Sequence, residues 1–358
     1  MADEFPYKQL SRECFWNTFE NAHPLDFESY INIKPRFNLA GAHIATAGRC
    51  FAQHIGYHLR SIQNCKFLDM EPPPAWLPRE LHTQWGYNIY SARYGNIYTN
   101  RSLLQLYRRA DQNIDYGEKA WIREGGYVDP YRPTVCRVPY PTEEEMFKDM
   151  GIHLERVKQL FAQCDTLIFT LGLTEAWRSR ESGVVFPLIP GSRSGGGKWD
   201  AKRYEFINFN FNQVVADLEE FNSLMLIGNP KFKLILTVSP VPLAATATGQ
   251  DVRIANSYSK SVLRAAAGYM REHHQNVEYF PSYEIITSPY LGGLSYMQDK
   301  RHVEKTIVAQ IMTCFRKYFG LSEDITTKNE CGNNKMEEDE KCDEEILLAY
   351  NALTNQGL

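Results

Sequence analysis

A chain of 358 residues with 43% apolar residues can bury a sizeable core, which excludes a disordered or fibrous protein. A formal net charge of −4, with acidic and basic residues interleaved, leaves no broad basic field for a phosphate backbone and argues against nucleic acid as a partner. The eight cysteines are scattered without Cys-x-x-Cys or a His-x3-5-His partner, a spacing that supports neither a zinc site nor a disulfide framework, so no metal is expected.

The N-terminal stretch MADEFPYKQLSRECFW starts acidic and carries no apolar run of signal-peptide type, and nowhere do eighteen consecutive apolar residues occur to span a bilayer. A reducing cytoplasm is the expected location, where a free thiol stays a thiol. The apolar run at residues 43–48 reads as a buried parallel strand and leads into a helical pattern over 50–62. Residues 63–141, rich in Pro, Tyr, Trp and Arg, break the rhythm and read as a large aromatic-rich insertion or cap. Aromatic residues make up 13% of the chain, many in polar stretches such as HTQWGYNIYSARYGNIYTN; this suits a groove gripping sugar rings or flat acyl groups, and suits core packing as well.

A capping box from Thr142 to Glu145 opens a helix over 142–164, followed by a strand at 165–172. Further on, helices are predicted at 206–226, 254–273 and 302–319, and strands at 232–240 and 276–286. Strand and helix alternating at this spacing predict an α/β fold, a three-layer α/β/α sandwich around a central parallel sheet. One domain over 1–321 accounts for these elements. Residues 322–358, around KMEEDEKCDEE, read as an acidic flexible tail with a short terminal helix near 346–353.

The residues able to carry chemistry follow the apolar runs. Thr46-Ala47-Gly48-Arg49-Cys50 puts Cys50 at a strand's carboxyl end and a helix's positive end, two settings that raise the thiolate fraction; the same placement suits a buried structural cysteine. Leu171-Gly172-Leu173-Thr174-Glu175-Ala176-Trp177 ends another strand, with Thr174 either a hydroxyl donor to an oxyanion or a helix N-cap. Tyr94-Gly95-Asn96-Ile97-Tyr98 offers an amide at Gly95 and a side-chain amide at Asn96. Asp299-Lys300-Arg301-His302 places a carboxylate where it can fix an imidazole tautomer, though a helix-capping Asp and a surface His have the same spacing. Ser239, before Pro240, points to the same sheet edge, and His82 lies in the aromatic stretch. His54 and His58 are one helical turn apart without a carboxylate to complete a metal site. The glycine-rich run 191–199 lacks phosphate-loop spacing and reads as a flexible loop.

In order along the chain, these motifs resemble the GSCFA family of the SGNH hydrolase superfamily, over about residues 15–319. The superfamily's Gly-Asp-Ser block falls on Gly48-Arg49-Cys50, its second block on Gly95, its Gly-x-Asn-Asp on Gly172-Leu173-Thr174-Glu175, and its Asp-x-x-His on Asp299 and His302. Two positions depart from the pattern: Arg49 stands where the family has Ser, and Thr174 stands where the superfamily has Asn. The resemblance implies a flavodoxin-like, SGNH-type fold. It also implies a Cys50, His302 and Asp299 triad, an oxyanion hole from Cys50, Gly95 and Thr174, and substrate contacts from Arg49, Asn96, Glu175 and Trp177. Ser239 and His82 are substrate candidates by position alone, at the sheet edge and in the aromatic stretch, where a turn-forming serine and a structural histidine fit as well. The implied activity is that of an esterase or O-acyltransferase on acyl groups of a carbohydrate. No cofactor is required, and acyl-CoA can serve as co-substrate. The competing expectation is a carbohydrate- or acyl-CoA-binding protein of the same fold, with turnover weakened by Arg49 and Thr174.

Overall fold

The computed structural model describes residues 5–16, 27–31, 34–291 and 293–321. In chain order the first half holds β1 (His43–Ala47), α1 (Cys50–Leu59), β2 (Lys66–Phe67), α2 (Asn100–Asp111), β3 (Trp121–Arg123), β4 (Gly126–Val128) and α3 (Glu143–Gln163). There follow β5 (Thr166–Leu171), β6 (Glu175–Ser179), β7 (Val185–Phe186), β8 (Tyr204–Asn208), α4 (Phe211–Gly228) and β9 (Lys233–Val238). The last elements are α5 (Val252–His273), β10 (Val277–Tyr279), α6 (Ser282–Ile286) and α7 (Lys305–Tyr318).

Five strands form one sheet in the order β10-β9-β5-β1-β2, every pairing parallel. Successive residues of a strand face opposite sides, and the apolar sequence exploits this. Ile44, Ile168 and Ile235 face the layer of α1 and α7, packing with Phe51, Ile55, Ile311, Met312 and Phe315. Their neighbours Ala45, Leu167, Phe169, Leu234 and Leu236 face the other layer, with Val157 and Leu160 of α3, Phe221 of α4 and Leu263 of α5. The result is the expected three-layer α/β/α sandwich. Numbered among themselves, the sheet strands run 2-1-3-4-5, so strand order reverses between β1 and β5. In an open α/β sheet, the crevice outside the carboxyl ends at that reversal is where ligands collect.

Local chemistry sets the helix starts. The Thr142 hydroxyl accepts from the Glu145 amide at 3.2 Å, and three glutamates in the first turn of α3 suit its positive end. At α4 a full capping box joins Asn210 and Gln213. That cap corrects the expected helix at 206–226: Phe206 and Ile207 lie in β8, whose Tyr204–Asn208 pairs antiparallel with β6. The expected strand at 276–286 stops at Tyr279. Pro281 has no N–H for a ladder, and Ser282–Ile286 turns into α6. The last long helix begins at Lys305, so His302 lies in the turn before it.

Residues 63–141 do not stand apart from the sheet. Lys66 and Phe67 supply its edge strand, and Leu103, Leu104 and Tyr107 of α2 join the main core. The β3–β4 hairpin meets the β7-β6-β8 sheet through Trp121, Phe186 and Tyr204, so several of these rings pack inside. Among the described residues no helix is long and apolar enough to cross a membrane. The 322–358 tail lies outside the described residues.

Candidate active site

The loop after β1 passes very close to β5. Gly48 has φ +131°, and a Cβ there would sit 2.5 Å from the Thr170 carbonyl oxygen, so only glycine fits. Arg49 is the N-cap of α1 and Cys50 its first residue. The Ile97 amide donates to the Gly48 carbonyl at 2.8 Å, and the Leu173 amide donates to the Tyr98 carbonyl at 2.9 Å. A Cβ on Gly172 would lie 2.8 Å from that same Tyr98 oxygen. Backbone hydrogen bonds therefore lace the 48–50, 95–98 and 172–174 loops together over the switch between β1 and β5.

The side chains beneath this lacing are buried. Arg49, expected to touch substrate, is fully enclosed, with its guanidinium 5.7 Å from the centre of the Tyr98 ring. Thr174 is also enclosed. Its amide donates to Ser259 Oγ at 3.1 Å and its carbonyl accepts from Phe209 at 2.8 Å, while its hydroxyl has no hydrogen-bond partner among the described residues. Because β6 starts at Glu175, no helix begins there and Thr174 is not an N-cap. Lys260 is 1% exposed and donates from Nζ to the Gly172 carbonyl at 2.9 Å. Sequence reasoning passed over Ser259 and Lys260. The available signal was a serine on the i, i+4 stripe of Ala255, Leu263 and Ala267 in α5, with a lysine beside it, since a polar group on a buried stripe needs a partner.

His302 is held by its own turn. Asp299 Oδ1 accepts from the amides of Arg301 and His302 at 2.9 and 3.0 Å, while Oδ2 pairs with His302 Nδ1. Burial raises the cost of ionising Asp299, but the two amides and the imidazole outweigh it and hold the carboxyl below its usual range. The carboxylate at Nδ1 fixes the tautomer and orientation of the ring. The Met297 amide donates to the His302 carbonyl at 2.7 Å, and Tyr296 forms a bridge with Val303. The Tyr296 hydroxyl donates to the Pro240 carbonyl at 3.0 Å, tying this turn to the end of β9. Next to Pro240, Ser239 is fully buried; its amide donates to the Leu171 carbonyl at 2.9 Å, and its hydroxyl lacks a partner among the described residues.

Other expected residues have local work. Asn96 Oδ1 accepts from the Tyr90 hydroxyl at 2.6 Å, and Glu175 accepts from the Thr246 hydroxyl at 2.7 Å and the Ala247 amide at 3.2 Å. Trp177 meets Trp199 edge-on at 5.2 Å. His82 lies in the 77–88 loop, Nε2 3.0 Å from the Leu77 carbonyl and Nδ1 3.0 Å from the Asn88 amide nitrogen. His58 is pushed down to about 4, first by burial and then by His54 and Arg316, and no metal-ligand cluster exists among the described residues. The glycine-rich run is stitched to the hairpin through Gly197 N to the Ile122 carbonyl at 2.9 Å and leads towards β8, where a phosphate loop would open a helix.

Fold and loops define a doubly wound α/β/α protein whose strand-end loops meet over the switch between β1 and β5, with a carboxylate-held histidine on a turn tied to the end of β9. The chain belongs to the GSCFA family, which it matches over residues 43–315. No curated protein matches it.

Proposed function

We propose that the protein is an SGNH-like esterase or O-acyltransferase working through Cys50, His302 and Asp299. The observation that carries this reading is the Asp299–His302 pair, on a turn tied through Tyr296 and Pro240 to the strand-end edge from which Cys50 begins α1. Cys50 sulfur bonds to the acyl carbonyl carbon as His302 Nε2 takes the thiol proton. The tetrahedral oxyanion collapses, the bond to the leaving oxygen or sulfur breaks, and His302 returns the proton to it. Water or a hydroxyl then attacks the thioester with His302 again as base, the carbon–sulfur bond breaks, and His302 returns the proton to the Cys50 sulfur. Amides at Cys50 and Gly95 and the Thr174 hydroxyl receive the oxyanion; that hydroxyl has no competing partner among the described residues. The family resemblance points to a carbohydrate as substrate and to acyl-CoA as a usable donor.

The test is turnover of acyl donors by Cys50→Ala, His302→Ala and the double variant. A triad acting as a unit predicts that each single change abolishes turnover and the double adds almost nothing, with an acyl adduct on the Cys50 peptide in mass spectra. Full activity in Cys50→Ala removes the mechanism. The second reading, a binding protein of the same fold, is favoured by Arg49: a wholly buried arginine occupies the position where the family has a serine.

A further inference from the structure

We propose that a cavity behind the 94–97 loop is a binding site for a small carboxylate, anchored by Arg109. The cavity, of about 30 Å³, is lined by Asn96, Ile97, Ser102, Arg109, Tyr131 and His153 among others. Asn96, Ser102 and Tyr131 are part-exposed, which gives it a route to solvent.

Arg109 is 7% exposed and its guanidinium lies 3.6 Å from the centre of the Tyr131 ring. Its Nη2 is buried without a hydrogen-bond partner among the described residues. A guanidinium N–H left in that state is costly unless a ligand or solvent meets it. Asp129 acts on Arg109 through its charge, but its hydrogen bonds and those of the other nearby carboxylates go elsewhere. Arg132 donates to Asp129 at 2.8 Å and to Asp149 at 2.6 Å, and Arg93 donates to Asp149 at 3.2 Å. Glu71 is bonded to His153 Nδ1 at 2.7 Å and to the Arg93 amide at 2.6 Å. Burial and then Arg132 push the His153 pKa down, so that ring adds no charge to the cavity wall.

The ligand class follows from shape and charge. A planar guanidinium pairs with two coplanar oxygens. A volume of about 30 Å³ holds roughly two water-sized centres, which matches the two oxygens of a carboxylate head. Ile97 lines this cavity and donates its amide to Gly48, so a bound carboxylate would sit directly behind the strand-end loops. Carboxylate binding there needs no covalent chemistry at Cys50 and is independent of acyl transfer.

The experiment titrates the full chain with acetate by calorimetry and thermal unfolding at constant ionic strength, with chloride and inorganic phosphate as controls. Saturable binding and a rising Tm are expected with acetate only. Arg109→Gln should weaken acetate binding about tenfold or more, the usual consequence of losing a charge-assisted hydrogen bond. Ser102→Leu, a change at a part-exposed wall position, should block binding with the buried charge in place, and it decides the matter if Arg109→Gln fails to fold. No saturable acetate response in the wild-type protein, an equal response to phosphate, or wild-type acetate affinity in the Ser102→Leu variant would overturn the proposal.

Discussion

Replacing Gly48 with alanine tests the close approach that builds the strand-end loops. The new Cβ would lie 2.5 Å from the Thr170 carbonyl oxygen and 2.9 Å from both Thr170 N and Cβ. These are backbone and near-backbone atoms of β5, a strand held on both sides by β1 and β9, so they cannot swing away. Forcing an L-residue into an unfavourable positive-φ region costs about 1–3 kcal/mol. Overpacking a rigid interior costs about 1–3 kcal/mol more. Together, about 2–6 kcal/mol is a large share of the roughly 5–15 kcal/mol that stabilises a typical fold. Gly41→Ala is the control, because Gly41 has φ +76° with nothing within 4 Å and carries only the backbone part, about 1–2 kcal/mol. Urea unfolding of both variants, followed by circular dichroism, measures the difference. If Gly48→Ala is no less stable than Gly41→Ala, the loops do not meet as described and the site built on them fails.

Asp299→Asn should leave stability nearly unchanged, since its side chain is 46% exposed, yet lower turnover by about 1,000-fold or more through loss of the tautomer-fixing carboxylate; an active variant removes Asp299 from the mechanism. Because His58 titrates at about 4 in the fold against 6.5 normally, the unfolded chain takes up the proton first. The stability contributed by neutral His58 is fully present above pH 6.5 and is lost as pH falls towards 4, so His58→Leu should flatten melting temperatures across that window. Iodoacetamide at neutral pH should modify Cys50 and exposed Cys14 well before buried Cys136, Cys164 and Cys314, with Cys164 pushed up to about 12 by burial. Cys50 labelling no faster than those three would count against a nucleophilic role.

The sheet was legible because its pattern is local. Ile44 beside Ala45, and Leu167, Ile168 and Phe169 in succession, alternate between two buried layers, and both strand and helix signals fall inside windows of a few residues. Where the reading missed, a local signal had been passed over. The Asn210–Gln213 box marks the true start of α4 and leaves 204–208 to β8. At 276–286, Pro281 was a sufficient reason to stop the strand.

The candidate site divides along the same line. Gly48, Cys50, Gly172 and Thr174 could be singled out because each follows an apolar strand within three residues, and Asp299 with His302 because the pair closes its own turn. Their supports could not be read this way. Lys260 meets Gly172 across 88 positions, Ser259 meets Thr174 across 85, and Tyr296 meets Pro240 across 56. In the sequence, Ser259 and Lys260 are only polar residues on a helix otherwise assigned to the core, and Tyr296 is one tyrosine in a loop, which implies some partner without naming it. The residues that offer chemistry therefore come from short segments, whereas the groups that fix their positions come from α5 and from the turn before α7. A variant at Ser259 or Lys260 acts on the 172–174 loop through the bond to Thr174 or to Gly172, although neither residue belongs to any motif that marked the site.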